Sequence, residues 1–385
     1  MLPMKQTASI ISTYTADVSG VCSALFELGG MTVMHDASGC NSTYNTHDEP
    51  RWYDTDSMVF ISAISEMEAI MGDDEKLIGD IVAAANELRP RFVAIAGTPI
   101  PMMTGVDFKA VAAAVEHRTG IPAMGFATNG MHTYARGAGM ALEGLARRLL
   151  PADARRDAGS LRAMNILGAT PLDFSVNGSV ESMRRLMEDN GFDVISCWAM
   201  GSTLDQLAGA AGARVNLVAA SCGLPVARYM YETFGIPYVV GAPYGRFEDD
   251  VVRALMQAVQ YAKPVVAYAE AGLSADADTV IVGECVTSCS LAAALRAEFG
   301  MSVRVAATVG TGAELMAPGV AAARCEDELI PLLAGARRVI ADPLYAPICP
   351  PGAQFMPLPH EAFSGRMYRD DIPDLMGGDL KRFKA

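Results

Sequence analysis

Short runs rich in valine, isoleucine and alanine alternate with helical stretches from about residue 85 onward, and this alternation constrains the fold of the chain most strongly. The order is typical of parallel strands joined by crossover helices, so the sequence predicts an α/β fold. The predicted strands are 91–98, 121–128, 163–170, 193–200, 215–221, 237–242, 264–269, 279–284, 303–309 and 338–342. Between them, residues 179–190 place apolar side chains on one helical face before Gly191, which predicts a helix that ends there.

Two seams divide the sequence into three Rossmann-like units. A polar, charged stretch near Pro151 separates a helix from the next strand, and a second seam lies near Pro264. We predict parallel-sheet domains over 1–152, 153–263 and 264–357, and a C-terminal tail over 358–385 that packs back on the body.

Composition and charge disfavour several classes of partner. The chain has 30 Lys and Arg against 44 Asp and Glu, a net charge of −14 and no basic run, which argues against nucleic-acid binding. No apolar stretch is long enough to span a membrane, and no export signal is recognisable. The 8 cysteines are too dilute in 385 residues for a disulfide scaffold. We therefore expect a cytoplasmic protein with neither nucleic-acid nor membrane partners.

Two glycine-rich stretches, GATPLDFSVNGS at 168–179 and VGTGAE at 309–314, are the natural places to look for a phosphate-binding loop. Neither has the glycine spacing of a Rossmann fingerprint or of a P-loop. The sequence therefore does not support nucleotide binding by this chain.

Cys22 and Cys40 are the first candidate metal ligands. Cys40 ends the segment HDASGC, in which Gly39 would let the backbone approach a bulky inorganic group. Most free cysteines, however, behave as small buried hydrophobes, and the residues alone leave that interpretation open for both.

A second group of candidates follows predicted strands, where ligands bind in open parallel sheets. Cys222, Glu284 and Cys285 stand at strand ends, Cys289 lies one helical turn further on, and His360 lies near the C-terminus. Ordinary packing at helix starts explains the three cysteines equally well. His360 is either a loop residue or a proton donor, because an ordinary imidazole exchanges protons near neutral pH.

Several landmarks occur in one order along the chain and together resemble the nitrogenase component 1 family. They are Cys22, HDASGC ending at Cys40, MGDDEKL at 71–77, AGTP at 96–99, GVD at 105–107, NILG at 165–168, Arg184-Arg185-Leu186 and Trp198. The family includes nitrogenase catalytic subunits, tetrapyrrole reductases and cofactor-assembly scaffolds, and the resemblance implies its three-domain α/β fold.

The resemblance also implies an iron–sulfur cluster at a subunit interface. Family subunits commonly supply three cysteines, and Cys22 and Cys40 correspond to two of them, but Thr98 stands in the third position. If two identical chains each supply Cys22 and Cys40, a homodimer provides the four thiolates of a [4Fe–4S] cluster. A non-cysteine ligand such as Asp36, or a heterodimer with a cysteine-rich relative, remains an alternative.

The resemblance implies that the chain is the catalytic component of a nitrogenase-like, two-component oxidoreductase. It would receive electrons from a separate ATP-dependent iron–sulfur reductase and reduce a small-molecule substrate in a cavity between domains, with His360 and Glu284 as proton donors. The short chain resembles the compact, homodimeric branch that reduces nickel-containing tetrapyrrole precursors, so a tetrapyrrole is the first expectation for the substrate.

Two other functions remain open at this point. In the nitrogenases proper, a cysteine and a histidine hold a large cofactor, which makes Cys222 and His360 candidates for a second metal site, although Ala220 falls in register with that cysteine. Such a site would suit a scaffold on which a metal–sulfur cofactor matures. The third hypothesis is a Rossmann-like binding or sensing module with structural cysteines.

Overall fold

Three parallel β-sheets, arranged in succession along the chain, form the framework of the part of the molecule that the structure describes. The computed structural model describes residues 9–12, 14–37, 49–153, 160–378 and 380–384. Helices flank every sheet, so the predicted α/β fold is confirmed. Among these residues, no helix is both long and apolar enough to cross a membrane.

The first sheet has the strand order β2-β1-β3-β4, with all pairs parallel. Its strands are β1 (Met31–His35), β2 (Met58–Ile61), β3 (Val93–Gly97) and β4 (Ala123–Phe126). The accompanying helices are α1 (Asp17–Leu25), α2 (Glu66–Met71), α3 (Asp74–Leu88), α4 (Pro99–Thr104), α5 (Phe108–Thr119) and α6 (Tyr134–Leu149).

The second sheet has the order β6-β5-β7-β8-β9. Its strands are β5 (Ala163–Leu167), β6 (Asp193–Cys197), β7 (Val215–Val218), β8 (Tyr238–Val240) and β9 (Val265–Val266). Its helices are α7 (Pro171–Phe174), α8 (Ser179–Asp189), α9 (Leu204–Ala208), α10 (Leu224–Phe234) and α11 (Glu248–Tyr261). The helix predicted over 179–190 is therefore confirmed. The strand β9, beyond the predicted seam at 263, pairs with β8.

The third sheet has the order β12-β11-β10-β13-β14. Its strands are β10 (Thr279–Glu284), β11 (Val303–Val309), β12 (Val320–Ala322), β13 (Arg338–Ala341) and β14 (Gln354–Pro357). The helices α12 (Cys285–Phe299) and α13 (Glu326–Leu333) accompany it. All ten predicted strands have counterparts, and the structure adds β1, β2, β12 and β14.

Strands at the centre of each sheet are buried along their whole length, as β3, β5 and β10 illustrate. Parallel sheets covered on both faces require this, because neither face meets water. One apolar core runs through all three sheets, and a smaller core lies between the first sheet and the helices α3 and α5. The three sheets are therefore joined by shared apolar packing.

The helices α1 and α6 touch through their backbones. They begin side by side, where the amide of Asp17 donates to the carbonyl of His132 and the amide of Tyr134 donates to that of Thr15. Further along, a Cβ on Gly20 would lie 2.0 Å from the carbonyl oxygen of Tyr134, and one on Gly137 would lie 1.8 Å from that of Asp17. Only glycine permits this approach, since the obstructing atoms belong to the backbone.

We expect Gly137→Ala to lower the free energy of unfolding by at least about 2 kcal/mol, because the added methyl group must push two helices apart. Urea unfolding followed by circular dichroism measures the change. Gly79→Ala is the matched control: Gly79 lies in α3, its Cβ would meet open space, and the substitution should stabilise the protein by about 0.5–1 kcal/mol. Equal stability of the Gly137→Ala variant and the wild type would contradict the packing argument.

Candidate functional site

A cleft between the second and third sheets collects several residues that follow strand ends. It encloses about 600 Å³, part of which is open to solvent. Glu284 and His360, two of the residues singled out from the sequence, both line it. The other lining residues include Asp173, Phe174, Tyr244, Val282, Leu291, Asp342, Leu358, Phe363, Ile372 and Leu375.

Asp173, in the short helix α7, is the centre of the polar contacts beside this cleft. Its side chain is 1% exposed. Its Oδ1 accepts a hydrogen bond from the Tyr134 hydroxyl at 2.5 Å, and its Oδ2 accepts one from the Thr170 hydroxyl at 2.6 Å. Nε2 of His360 lies 3.7 Å from Oδ1. Asp173 therefore links the start of α6, the second sheet and the C-terminal tail.

His360 is held in place on three sides. Its backbone amide donates to Oδ2 of Asp342 at 2.7 Å, and its ring stacks on Phe363 with the centroids 4.4 Å apart. Nδ1 accepts a hydrogen bond at 3.3 Å from the amide of Ala362, which it shares with the carbonyl oxygen of Leu172 at 3.2 Å. In the neutral ring the proton is then on Nε2, the atom that faces Asp173.

Glu284 ends β10 and caps the N-terminus of α12. Its Oε2 accepts hydrogen bonds from the amide of Thr287 at 2.8 Å and from its hydroxyl at 3.0 Å, while Oε1 accepts one from the amide of Ser221 at 3.1 Å. Burial, followed by the negative charge of Asp173, raises the pKa of Glu284. Its carboxyl group therefore has both a capping function and a tendency to hold a proton.

Cys222 lies behind the cleft, beyond the end of β7, and is 1% exposed. Its Sγ is 3.5 Å from the carbonyl oxygen of Gly168 and 3.7 Å from Oδ2 of Asp173, as expected of a thiol that donates a hydrogen bond. Burial, then the charges of Asp173 and Glu284, raise the pKa of Cys222 well above its ordinary value. Among the described residues, no three His, Cys, Asp or Glu side chains lie close enough to hold a metal ion. A metal site at Cys222 stays a prediction.

Cys285 and Cys289 begin α12 and are fully buried in the main core. The Sγ atom of Cys285 lies 3.7 Å from the carbonyl oxygen of Leu315. These contacts are those of packed thiols, in agreement with the packing interpretation of the sequence.

Cys22 is fully buried in α1, and Cys40 lies outside the described residues. Burial, followed by the charge of Glu49, raises the pKa of Cys22. A dry, enclosed sulfur suits an iron ligand, since iron displaces the thiol proton when it binds. Cys22 as a cluster ligand stays a prediction.

Thr98, which replaces the third cysteine, has partners of its own. Its hydroxyl is 3.0 Å from the carbonyl oxygen of His35 and 2.9 Å from Oδ1 of Asp36, and the residue is 1% exposed. The hydroxyl therefore fastens the end of β1, where HDASGC begins. Asp36, the alternative ligand, accepts this hydrogen bond.

A buried arginine lies near Cys22. Nε of Arg51 contacts Oε1 of Glu49 at 2.6 Å, Nη1 contacts Oε1 of Glu27 at 3.0 Å, and Nη2 donates to the carbonyl oxygen of Ser23 at 2.7 Å. Paired charges of this kind persist in an interior because each has its counter-ion and hydrogen bonds. The surroundings of Cys22 are therefore polar on one side and apolar on the other.

Sequence reasoning missed Asp173 and Tyr134. Asp173 lies shortly after β5, in the glycine-rich stretch that was considered only as a phosphate loop. The strand-end rule that selected Cys222 and Glu284 would have selected it as well. Tyr134 gave no such signal, because its role depends on how α6 packs.

The solved structures extend the evidence for the fold. A structure of nitrogenase Cp1 at pH 5 matches with a TM-score of 0.66 over 95% of this chain and 86% of that chain, at 16% identity. The structure of nitrogenase Cp1 at pH 6.5 also matches with a TM-score of 0.66. At this level of identity the match shows a shared fold.

Curated relatives match over shorter segments. The nitrogenase iron-molybdenum cofactor biosynthesis protein NifE of Clostridium pasteurianum is 27% identical over 48% of this chain and 40% of its own length. The nitrogenase molybdenum-iron protein alpha chain of Azospirillum brasilense is 27% identical over 48% of this chain and 39% of its own. A light-independent protochlorophyllide reductase polypeptide of Nostoc punctiforme is 34% identical over 25% of this chain and 20% of its own. The alignments thus span two fifths of these relatives or less.

A family model covers most of the chain. The model of nitrogenase component 1 type oxidoreductases matches residues 19–328, a range that includes Cys22, Asp173, Cys222 and Glu284 but not His360. The chain belongs to the nitrogenase component 1 type oxidoreductase family.

Proposed function

We propose that this chain is the catalytic component of a nitrogenase-like two-component reductase. A homodimer would hold a [4Fe–4S] cluster between Cys22 and Cys40 of both chains, and an ATP-dependent iron–sulfur reductase would be its partner. When bound, the cluster would supply single-electron transfer. The chain's own residues would hold a substrate in the cleft and deliver protons to it.

The observation that carries this proposal is the backbone contact between α1 and α6. Cys22 lies in α1, and Tyr134 at the start of α6 donates directly to Asp173 beside the cleft. The proposed cluster ligand and the cleft are therefore held at a fixed separation by packed helices. Fixed separation is what electron delivery from a cluster to a substrate requires.

Proton delivery is assigned to His360 and Glu284. His360 borders the cleft and would transfer a proton as the imidazolium, returning to the neutral ring, and the raised pKa of Glu284 keeps its carboxyl protonated to higher pH than usual. The apolar lining keeps bulk water from competing for these protons. Both side chains can therefore donate to a substrate in the cleft.

The similarity to NifE favours a second candidate, a scaffold on which a metal–sulfur cofactor matures. Cys222 and His360 would then have to ligate metal. Cys222 is instead a buried thiol that donates toward Gly168 and Asp173, and no three His, Cys, Asp or Glu side chains among the described residues lie close enough to hold a metal ion there. We therefore place the reductase first.

Cys22→Ala and Cys40→Ala should each abolish iron binding in anaerobically purified protein, because either change removes two of four ligands from a symmetric dimer. Iron analysis and visible absorption measure the loss against about four iron atoms per wild-type dimer. Cys349→Ala, a half-buried cysteine near the tail, is the control and should keep its iron. Full iron content in both variants would refute the ligand assignment.

The wild-type cluster should be reduced by a nitrogenase iron protein-type reductase from the same organism only when MgATP is present. Electron paramagnetic resonance of freeze-quenched samples detects the reduced cluster. Omission of ATP and a non-hydrolysable analogue are the controls. Reduction that is equally fast without ATP would overturn the two-component mechanism, even if the cluster is present.

Glu284→Gln should change the pH dependence of stability. A raised folded-state pKa means that the folded chain holds a proton the unfolded chain has lost, so wild-type stability falls as pH rises from the ordinary value of 4.5 through the folded pKa. The variant lacks this fall and should gain stability relative to the wild type between about pH 5 and about pH 8. Urea unfolding midpoints at both pH values test this, and a constant difference would show that Glu284 does not titrate in this range.

A further inference from the structure

We propose that the cleft binds an uncharged, mainly apolar small molecule that presents a hydrogen-bond acceptor to Nε2 of His360. This inference rests on the proposed function, because it names the class of substrate that the reductase would take. Three features of the lining carry it: the sign of its charges, a buried donor that has no partner among the described residues, and its apolar walls.

The charged groups of the cleft are all acidic. Asp173, Glu284 and Asp342 line it, and all three are buried. The side chain of Asp173 is 1% exposed, and so are the whole residues Glu284 and Asp342. Lysine and arginine are absent from the lining as far as the described residues define it. An anionic group that entered would lose its water and meet negative charge with no cation to balance it, which is unfavourable in a poorly solvated site.

These carboxylates are already hydrogen-bonded within the protein. Asp342 accepts from the amides of Leu344 and His360 and from the Ser364 hydroxyl, at 2.7–2.8 Å. Asp173 and Glu284 accept from hydroxyl and amide donors as described above. A ligand cation would therefore have to displace protein donors, so the lining favours a neutral ligand over a cationic one as well.

The donor left without a partner is Nε2 of His360. It is buried and makes no hydrogen bond with the described residues, since its distance of 3.7 Å from Oδ1 of Asp173 is too long. The hydrogen bond that Nδ1 accepts leaves the proton on Nε2, and the stack on Phe363 fixes the ring. A buried donor without an acceptor is unfavourable, so a ligand acceptor placed there gains a hydrogen bond at little ordering cost.

The walls select an apolar body for the ligand. The side chains that surround the polar groups are mostly aliphatic or aromatic: Phe174, Val282, Leu291, Leu358, Phe363, Ile372 and Leu375. Burial of apolar ligand surface against them supplies the main driving force for binding. A tetrapyrrole with ionised carboxylates does not suit this cleft, because the described lining offers acidic side chains and apolar walls but no lysine or arginine.

Four probes of nearly the same shape separate the possibilities: acetophenone, isopropylbenzene, benzoate and benzamidinium. In the same order, they present to His360 a neutral acceptor, no acceptor, an anion and a cation. Ligand-observed NMR titrations on the anaerobically purified full-length protein give their relative affinities. Acetophenone should bind about five-fold more tightly than isopropylbenzene, the value of one hydrogen bond, and at least about ten-fold more tightly than benzoate.

His360→Phe is the matched variant, because a phenyl ring keeps the stack on Phe363 and removes the Nε2 donor; the Nδ1 acceptor is lost as well, but its donor, the amide of Ala362, keeps the carbonyl oxygen of Leu172 as a partner. In this variant the affinity for acetophenone should fall to or below that for isopropylbenzene, because the buried carbonyl group then has no donor, while isopropylbenzene binds as in the wild type. Asp173→Asn, which removes one negative charge from the lining, should raise the affinity for benzoate. Circular dichroism establishes that both variants are folded.

Tightest binding by benzoate or by benzamidinium would overturn the proposal, and so would the failure of all four probes to bind folded wild-type protein at millimolar concentration. An unchanged preference for acetophenone in His360→Phe would remove His360 from the recognition step. The titrations need neither reductase nor ATP. Their failure is therefore distinguishable from failure of the proposed function, which appears as a cluster that the reductase does not reduce.

Discussion

Two glycines let the backbones of α1 and α6 touch, and the arrangement of the candidate site depends on that contact. Gly20 and Gly137 leave no room for a side chain between the helices, and Gly139 on the same α6 approaches the carbonyl oxygen of Cys222. One helix thereby sets the distances among the helix of Cys22, the turn at Cys222 and the tyrosine that reaches Asp173. Backbone contacts of this kind do not adjust by rotamer changes, so these parts move together or not at all.

The cleft shows how buried acids serve a fold and a site at once. Asp173, Glu284 and Asp342 each receive hydrogen bonds from more than one segment of chain, which offsets the loss of hydration on burial. These hydrogen bonds join strand ends, helix starts and the C-terminal tail. The contacts that hold these segments together therefore also hold the acidic side chains in place beside the cleft. The selectivity proposed for the cleft would thus be a consequence of how the three segments are joined.

The sequence was sufficient for the fold class and for most strands, because valine- and isoleucine-rich runs mark strands buried on both faces. It was insufficient for β1 and β14, whose sequences MTVMH and QFMP contain methionine, histidine or proline in place of such runs. Glu284 and His360 were found in the sequence, yet nothing local indicated that they meet in one cleft with Asp173. These three residues line one cleft because strand ends of different sheets face each other. Packing between the sheets decides which strand ends do so.

Thr98 separates this chain from the three-cysteine pattern that its resemblance implies. Its hydroxyl already binds the carbonyl oxygen of His35 and the carboxylate of Asp36, so it holds the backbone where a third sulfur is expected. Under the proposed function, one chain would offer the two thiolates of Cys22 and Cys40, and a four-iron cube needs four. A two-fold axis doubles the ligand set without any new residue, because an isologous interface brings the same side chains together from both partners. In the proposed homodimer, symmetry would therefore supply the ligands that Thr98 cannot.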